Sequence, residues 1–254
     1  MYPITHAWFA RRLWGEPADI MLLGTMFPDT TIVSGLDWGL THKPGFAVVS
    51  RVASLGGDEH EFALGWLSHS TDPNGLDYFS DDAFPGTKRG YCFELALPYA
   101  ERAAHICGLP DELGWWKAHN FVEMGIELLA ATAWPEGAGR CEAALAGAGE
   151  HEAVVQNVAS VLGVDPRPLR EGYAGFACFL RFDDLSPDGL ASAYERQVHA
   201  KHGVDHIDRE AAAALIAECA RLAEPTLPQF LDYAAQRVLE TAAGLTPSGR
   251  SAAR

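Results

Sequence analysis

The chain has 254 residues, 48% of them hydrophobic and 21% charged, with 34 acidic against 19 basic side chains and a formal net charge of −15. Such a composition supplies a sizeable core and excludes a disordered chain. Its acidic field repels nucleic acid and anionic membranes, so neither is expected as a partner and a small-molecule substrate is.

No stretch reaches the roughly 20 apolar residues of a membrane span. The opening MYPITHAWFARRLWG places Arg11 and Arg12 where a secretory leader needs an unbroken apolar run. Five cysteines, an odd number with no C-x-x-C, read as free and mostly buried thiols of a reducing compartment. The expected location is cytoplasmic.

Helical signals then dominate. Thr5 reads as the N-cap of a helix over residues 6–14, and a second apolar stretch runs from Ala18 to Phe27 before Pro28-Asp29 stops it. Residues 33–45 are punctuated by glycine and read as a loop carrying His42. Asp58 reads as the cap of a helix over 59–71, with His69 near its end. Residues 72–91 read as a long polar loop, a length that often marks a functional segment. Helices are predicted near 93–106 and 111–133, the second carrying Trp115, Trp116, His119 and Glu123. Beyond Trp134, amphipathic segments lie near 141–161, 188–202, 207–223 and 226–243, and the tail from Pro247 onward reads as frayed. Convincing period-2 strands are lacking. The predicted class is all-α, with a metal-binding core over 1–134 and C-terminal helices over 135–254 packed on the same domain.

Seven potential metal ligands fall in the first half: His6, Asp29, His42, His69, Asp72, His119 and Glu123. His69 and Asp72 are spaced i, i+3, and His119 and Glu123 i, i+4, so each pair shares a helical face. An imidazole or carboxylate in an apolar helix is costly to bury without a partner. Taken singly, most have an ordinary reading: an Asx-turn for Asp29, a helix C-terminus for His69, a solvated His–Glu pair with Lys117, Asn120 and Glu127 nearby for His119 and Glu123. Lys88 and Arg89, in the polar loop, are weak candidates for meeting a substrate phosphate.

The motifs acquire weight in order. THAWFARRL, LLGTMFPD, TH, LGWLSH-x-x-D and H-x-x-x-E, spread over residues 5–127, together resemble the zinc-dependent phospholipase C / S1–P1 nuclease superfamily. The resemblance implies an all-helical fold with up to three zinc ions for phosphoester hydrolysis. It implies His6, Asp29, His42, His69, His119 and Glu123 as ligands, with Asp29 also orienting the attacking water. Two departures stand out. The family's His-x-x-x-Asp pair has Pro73 at its last position here, with Asp72 one residue early, and a further family histidine is missing. Asp77, Asp81 and Asp82 are the residues available to replace it.

The expectation is therefore a hydrolase using a metal-activated water on a phosphoester or related small polar substrate, with two divalent ions and at most three. Zinc comes first, and the carboxylate-rich set admits manganese or iron. The alternative is a non-haem di-iron or di-manganese oxidase or oxygenase, although the paired Glu-x-x-His signature of such sites is absent.

Overall fold

The computed structural model describes residues 2–180 and 182–245; the tail from Pro247 lies outside them. Among the described residues there are helices and no strands, as the periodicity predicts. In chain order the helices are α1 (Pro3–Trp14), α2 (Asp19–Met26), α3 (Thr31–Ser34), α4 (Trp38–His42), α5 (Phe46–Ala53), α6 (Gly57–His69), α7 (Tyr91–Ala96) and α8 (Ala100–Cys107). They continue with α9 (Gly114–Ala133), α10 (Gly137–Ala146), α11 (Glu152–Leu162), α12 (Pro166–Phe179), α13 (Pro187–His202), α14 (Arg209–Ala223) and α15 (Leu227–Ala242). No helix among the described residues is long and apolar enough to cross a membrane.

The most intimate helix pair is α2 on α6, and two glycines make it. A Cβ at Gly24 would lie 2.2 Å from the Phe62 carbonyl oxygen, and one at Gly65 would lie 2.2 Å from that of Met21. The two backbones therefore touch without intervening side chains, and the C-terminal ends of both helices are fixed relative to each other. Phe27 and Trp66 seal the contact edge to face, 5.0 Å between centroids. The long helix α9 forms the opposite support, carrying α7, α8 and α14 along its length and α1 on another face.

Several boundaries differ from those predicted. Thr5 lies inside α1 rather than capping it, and Tyr2 at the cap position provides no side-chain bond. Gly56, not Asp58, occupies the cap position of α6. The stretch 33–45 contains α4, whose cap is Asp37, and the segment 93–106 is broken by Pro98 into α7 and α8.

The helix α12 is absent from the predicted set because Pro166, Pro168, Gly172 and Gly175 read as breakers. Its prolines fall in the first turn, where an N–H is not needed, and Asp165 caps it through the Arg167 amide at 2.7 Å. A Cβ at Gly172 would come within 2.9 Å of Ser34 Cβ, so the glycine is what lets α12 close onto α3. That contact brings Phe176 and Phe179 to the site. Four cysteines are buried, Cys178 is exposed, and all five are free.

Candidate metal centre

The ends of α1, α2, α4 and α6 meet at one point. His69 closes α6, and its Nδ1 lies 2.6 Å from the Thr25 carbonyl at the end of α2. A carbonyl can only accept, so Nδ1 carries the proton and Nε2 presents its lone pair to the site. The backbone contact at Gly24 and Gly65 is what holds that carbonyl within reach. His42 is set similarly. Thr41 Oγ1 has the Pro28 and Trp38 carbonyls as acceptors at 3.2 and 3.3 Å, so it accepts from His42 Nδ1 at 3.0 Å, again leaving Nε2 free. The Trp66 indole donates to the Thr41 carbonyl at 2.6 Å and pins α4 against α6.

His6 comes from α1, and its ring stacks on that of His69 with centroids 3.5 Å apart. The helix is anchored at its N-terminus by a residue of α9. Glu127 accepts the Ile4 and Thr5 amides at 2.9 and 2.7 Å and the Thr5 hydroxyl at 2.6 Å. It thereby serves amides that an α-helix leaves without partners at its start. Burial raises the Glu127 carboxyl to about 7, against the opposing effect of those hydrogen bonds. Glu127 therefore does not lie on the solvated face that the sequence suggested.

Asp77 joins the two stacked imidazoles. Its oxygens lie 3.2 Å from His6 Nε2 and 3.1 Å from His69 Nε2. Neither Nε2, nor His6 Nδ1, makes a hydrogen bond of acceptable geometry. Asp29 Oδ1 is 3.7 Å from His42 Nε2. Two ligand triads result, His6–Asp29–His69 and His42–His69–Asp77, each with donor atoms within 4.8 Å of one another. They share His69, which has only one nitrogen to give, so the two triads make one nest around it in which an ion that takes that nitrogen sits in one triad or the other. A third triad of the same compactness, sharing no residue with these two, is Asp81, His119 and Glu123. Its Asp81 belongs to a π-helical turn over Tyr78–Asp82, which carries the chain from Asp77 to Asp81 beside both groups.

Electrostatics fit cation binding at His6 and His119, whereas at His69 burial is outweighed by the neighbouring Asp77 and Asp29, which raise the imidazole, so a cation there displaces a proton. Burial lowers His6 to about 4, helped by His69, and burial lowers His119 to about 4 against the pull of Glu123. Both are thus neutral and ligand-competent at pH 7. Burial pushes the Asp29 carboxyl up, but His69 and His42 outweigh it and hold the group at about 2. Asp81 is raised well above the usual carboxylate range by burial, then by Glu123 and Asp77, a crowding of acids that a bound cation relieves. The donor set of imidazole and carboxylate, with buried ring nitrogens lacking hydrogen bonds, fits zinc or a similar divalent ion.

Asp29, His42, Asp77, Asp81, His119 and Glu123 all face one cavity of about 460 Å³. Trp38, stacked on His42 at 4.7 Å, and Trp116, 5.0 Å from His119, line it and remain 49% and 44% exposed. The C-terminal half contributes Phe176, Phe179, Leu180, Gln197 and Lys201 to the same wall.

Other candidates fall elsewhere. Asp72 has an exposed side chain and belongs to none of the triads. It is the Asp72 amide that matters, donating to the His42 carbonyl at 3.1 Å. Lys88 and Arg89 line a separate depression with Asp82, Tyr233 and Arg237, and Arg89 stacks over Phe93 at 4.4 Å. Asp77 and Asp81 could be named from the sequence only as loop carboxylates, with no spacing rule to choose them. The chain matches no protein-family model, no curated protein and no solved structure.

Proposed function

We propose that this protein is a metal-dependent hydrolase acting on a phosphoester or related small polar substrate. One observation carries the reading: two imidazole–carboxylate groups share one open cavity, and Asp77 stands 3.2 and 3.1 Å from the buried Nε2 atoms of His6 and His69. Within the nest of His6, Asp29, His42, His69 and Asp77 one triad containing His69 would hold one ion, and Asp81, His119 and Glu123 a second. Bound divalent ions lower the pKa of a water toward about 7 and neutralise charge that develops on a substrate oxygen. His69 and His42 present fixed lone pairs because Thr25 and Thr41 hold their other nitrogens.

Asp29 has the part of orienting the attacking water. Its side chain is 21% exposed, against 9% or less for His6, His42, His69 and Asp77, so it is the member of the nest most open to an incoming water. The cavity volume, within the usual range for small ligands, supports a small substrate. Trp38 and Trp116 offer flat apolar walls for it.

The test is hydrolysis of a chromogenic phosphodiester by zinc-loaded protein. Wild type should turn over, and Asp29→Asn should lower kcat by about 10²-fold, the order of loss that misplacing a reacting group brings. Absence of turnover on phosphomonoesters and phosphodiesters alike, in a protein shown to carry zinc, would refute the reading.

A further inference from the structure

Lys117 lies on α9 two residues before His119 and is only 3% exposed. Among the described residues it takes part in no hydrogen bond and no ion pair. Its ammonium has no protein partner and opens onto the cavity, although this chain has 34 acidic residues from which a partner could be supplied. None is. Instead a second cation, Lys201 of α13, stands at the same cavity. Both side chains line the cavity that contains the His and carboxylate groups.

Two amides share the cavity wall with them. Gln197, one turn before Lys201, accepts from the Tyr2 hydroxyl at 3.4 Å through Oε1, which leaves its NH₂ as a donor. Asn120, one turn after Lys117, accepts from Tyr194 at 3.2 Å and turns its own NH₂ toward Glu123. The wall next to the acidic ligands is thus a concentration of donors, with two like charges held together in a protein of strongly opposite sign.

We propose that Lys117 and Lys201, with Gln197, form an anion-recognition site that binds an oxyanion of the substrate in the same cavity. The inference rests on the hydrolase reading and narrows it. The substrate is a small organic anion whose charged group, of phosphate type, sits on the lysines while its apolar body lies against Trp116, Phe176 and Phe179. Long polyanions are disfavoured by the enclosing aromatic walls and by the net charge of the chain.

Calorimetric titration with phenylphosphonate, whose P–C bond ester hydrolysis leaves intact, tests this, using zinc-loaded and chelator-treated full-length protein, wild type, Lys117→Met, Lys117→Arg and Lys201→Met. Each methionine variant should weaken binding about tenfold or more, the worth of a charged hydrogen bond, with zinc content unchanged. Lys117→Arg should bind within a few-fold of wild type. Lys117→Met should also melt no lower than wild type, because it removes a charge that has no protein partner. Binding by both methionine variants equal to wild type would overturn the proposal, and so would a lowered melting temperature without loss of affinity. Failure of the hydrolase reading looks different: no zinc retained, with phenylphosphonate still bound in a Lys117-dependent manner.

Discussion

An Asp77→Asn variant will bind zinc about 100-fold more weakly than wild type, or worse, while Asp72→Asn will bind as wild type does. The two carboxylates are five residues apart, and only one is in the site. Asp77 stands 3.2 Å from His6 Nε2 and 3.1 Å from His69 Nε2, buried from solvent. Burial alone would raise its carboxyl, but the two histidines help to hold it well below the usual range, so it is anionic and available. Replacing it with a neutral amide removes a ligand and the charge that offsets a cation in a poorly hydrated place. Loss even of an outer-shell partner commonly costs 10–100-fold in metal affinity, and a direct ligand sits at or beyond the upper end. Asp72 contributes its backbone amide to the His42 carbonyl, and asparagine keeps that bond. Competition against a chromogenic chelator measures both variants. Equal zinc affinity in Asp77→Asn and wild type would remove Asp77 from the site.

Gly65→Ala will destabilise the protein and loosen the metal site together. Glycine to alanine inside a helix ordinarily stabilises by about 1 kcal/mol. Here the new methyl would sit 2.2 Å from the Met21 carbonyl oxygen and 2.9 Å from the Thr25 amide nitrogen. All these atoms are backbone, so the helices α2 and α6 must part. Overpacking of a rigid contact costs about 1–3 kcal/mol and sometimes more. At this chain length a loss of 3 kcal/mol corresponds to a fall of roughly 6–12 °C in Tm. Parting the helices also withdraws the Thr25 carbonyl from His69 Nδ1, so zinc affinity should fall in the same variant. Gly139→Ala on α10, where an added Cβ meets nothing within 4 Å, is the control and should raise Tm slightly. A Gly65→Ala protein as stable as wild type would contradict the backbone-contact account.

The all-helical class was legible because apolar periodicity is a local property, and most helices follow it. His119 and Glu123 were legible for the same reason, since i, i+4 spacing defines a helical face. What escaped is long-range. Glu127 looks like a surface acid until its partners, the first amides of α1, are placed against it across 122 residues of chain. Asp77 and Asp81 lie in a polar segment with no period to read, and a π-helical turn is what aims both at the histidines. Asp72 was favoured by its helical spacing from His69, yet α6 ends at His69 and the spacing has no helix to act on. The helix α12 was hidden by prolines and glycines that serve as a first turn and a close packing surface, and with it went the aromatic wall of the cavity.

The most direct test of the metal-centre account is a crystal structure grown with zinc, with anomalous difference maps recorded on either side of the zinc edge. The account predicts two peaks in the one cavity. One should lie about 2.0–2.2 Å from nitrogens and oxygens of the His6, Asp29, His42, His69 and Asp77 group, the other at like distance from Asp81, His119 and Glu123. A map with no zinc in this cavity, or with zinc bound only at surface histidines such as His199 or His206, would contradict it.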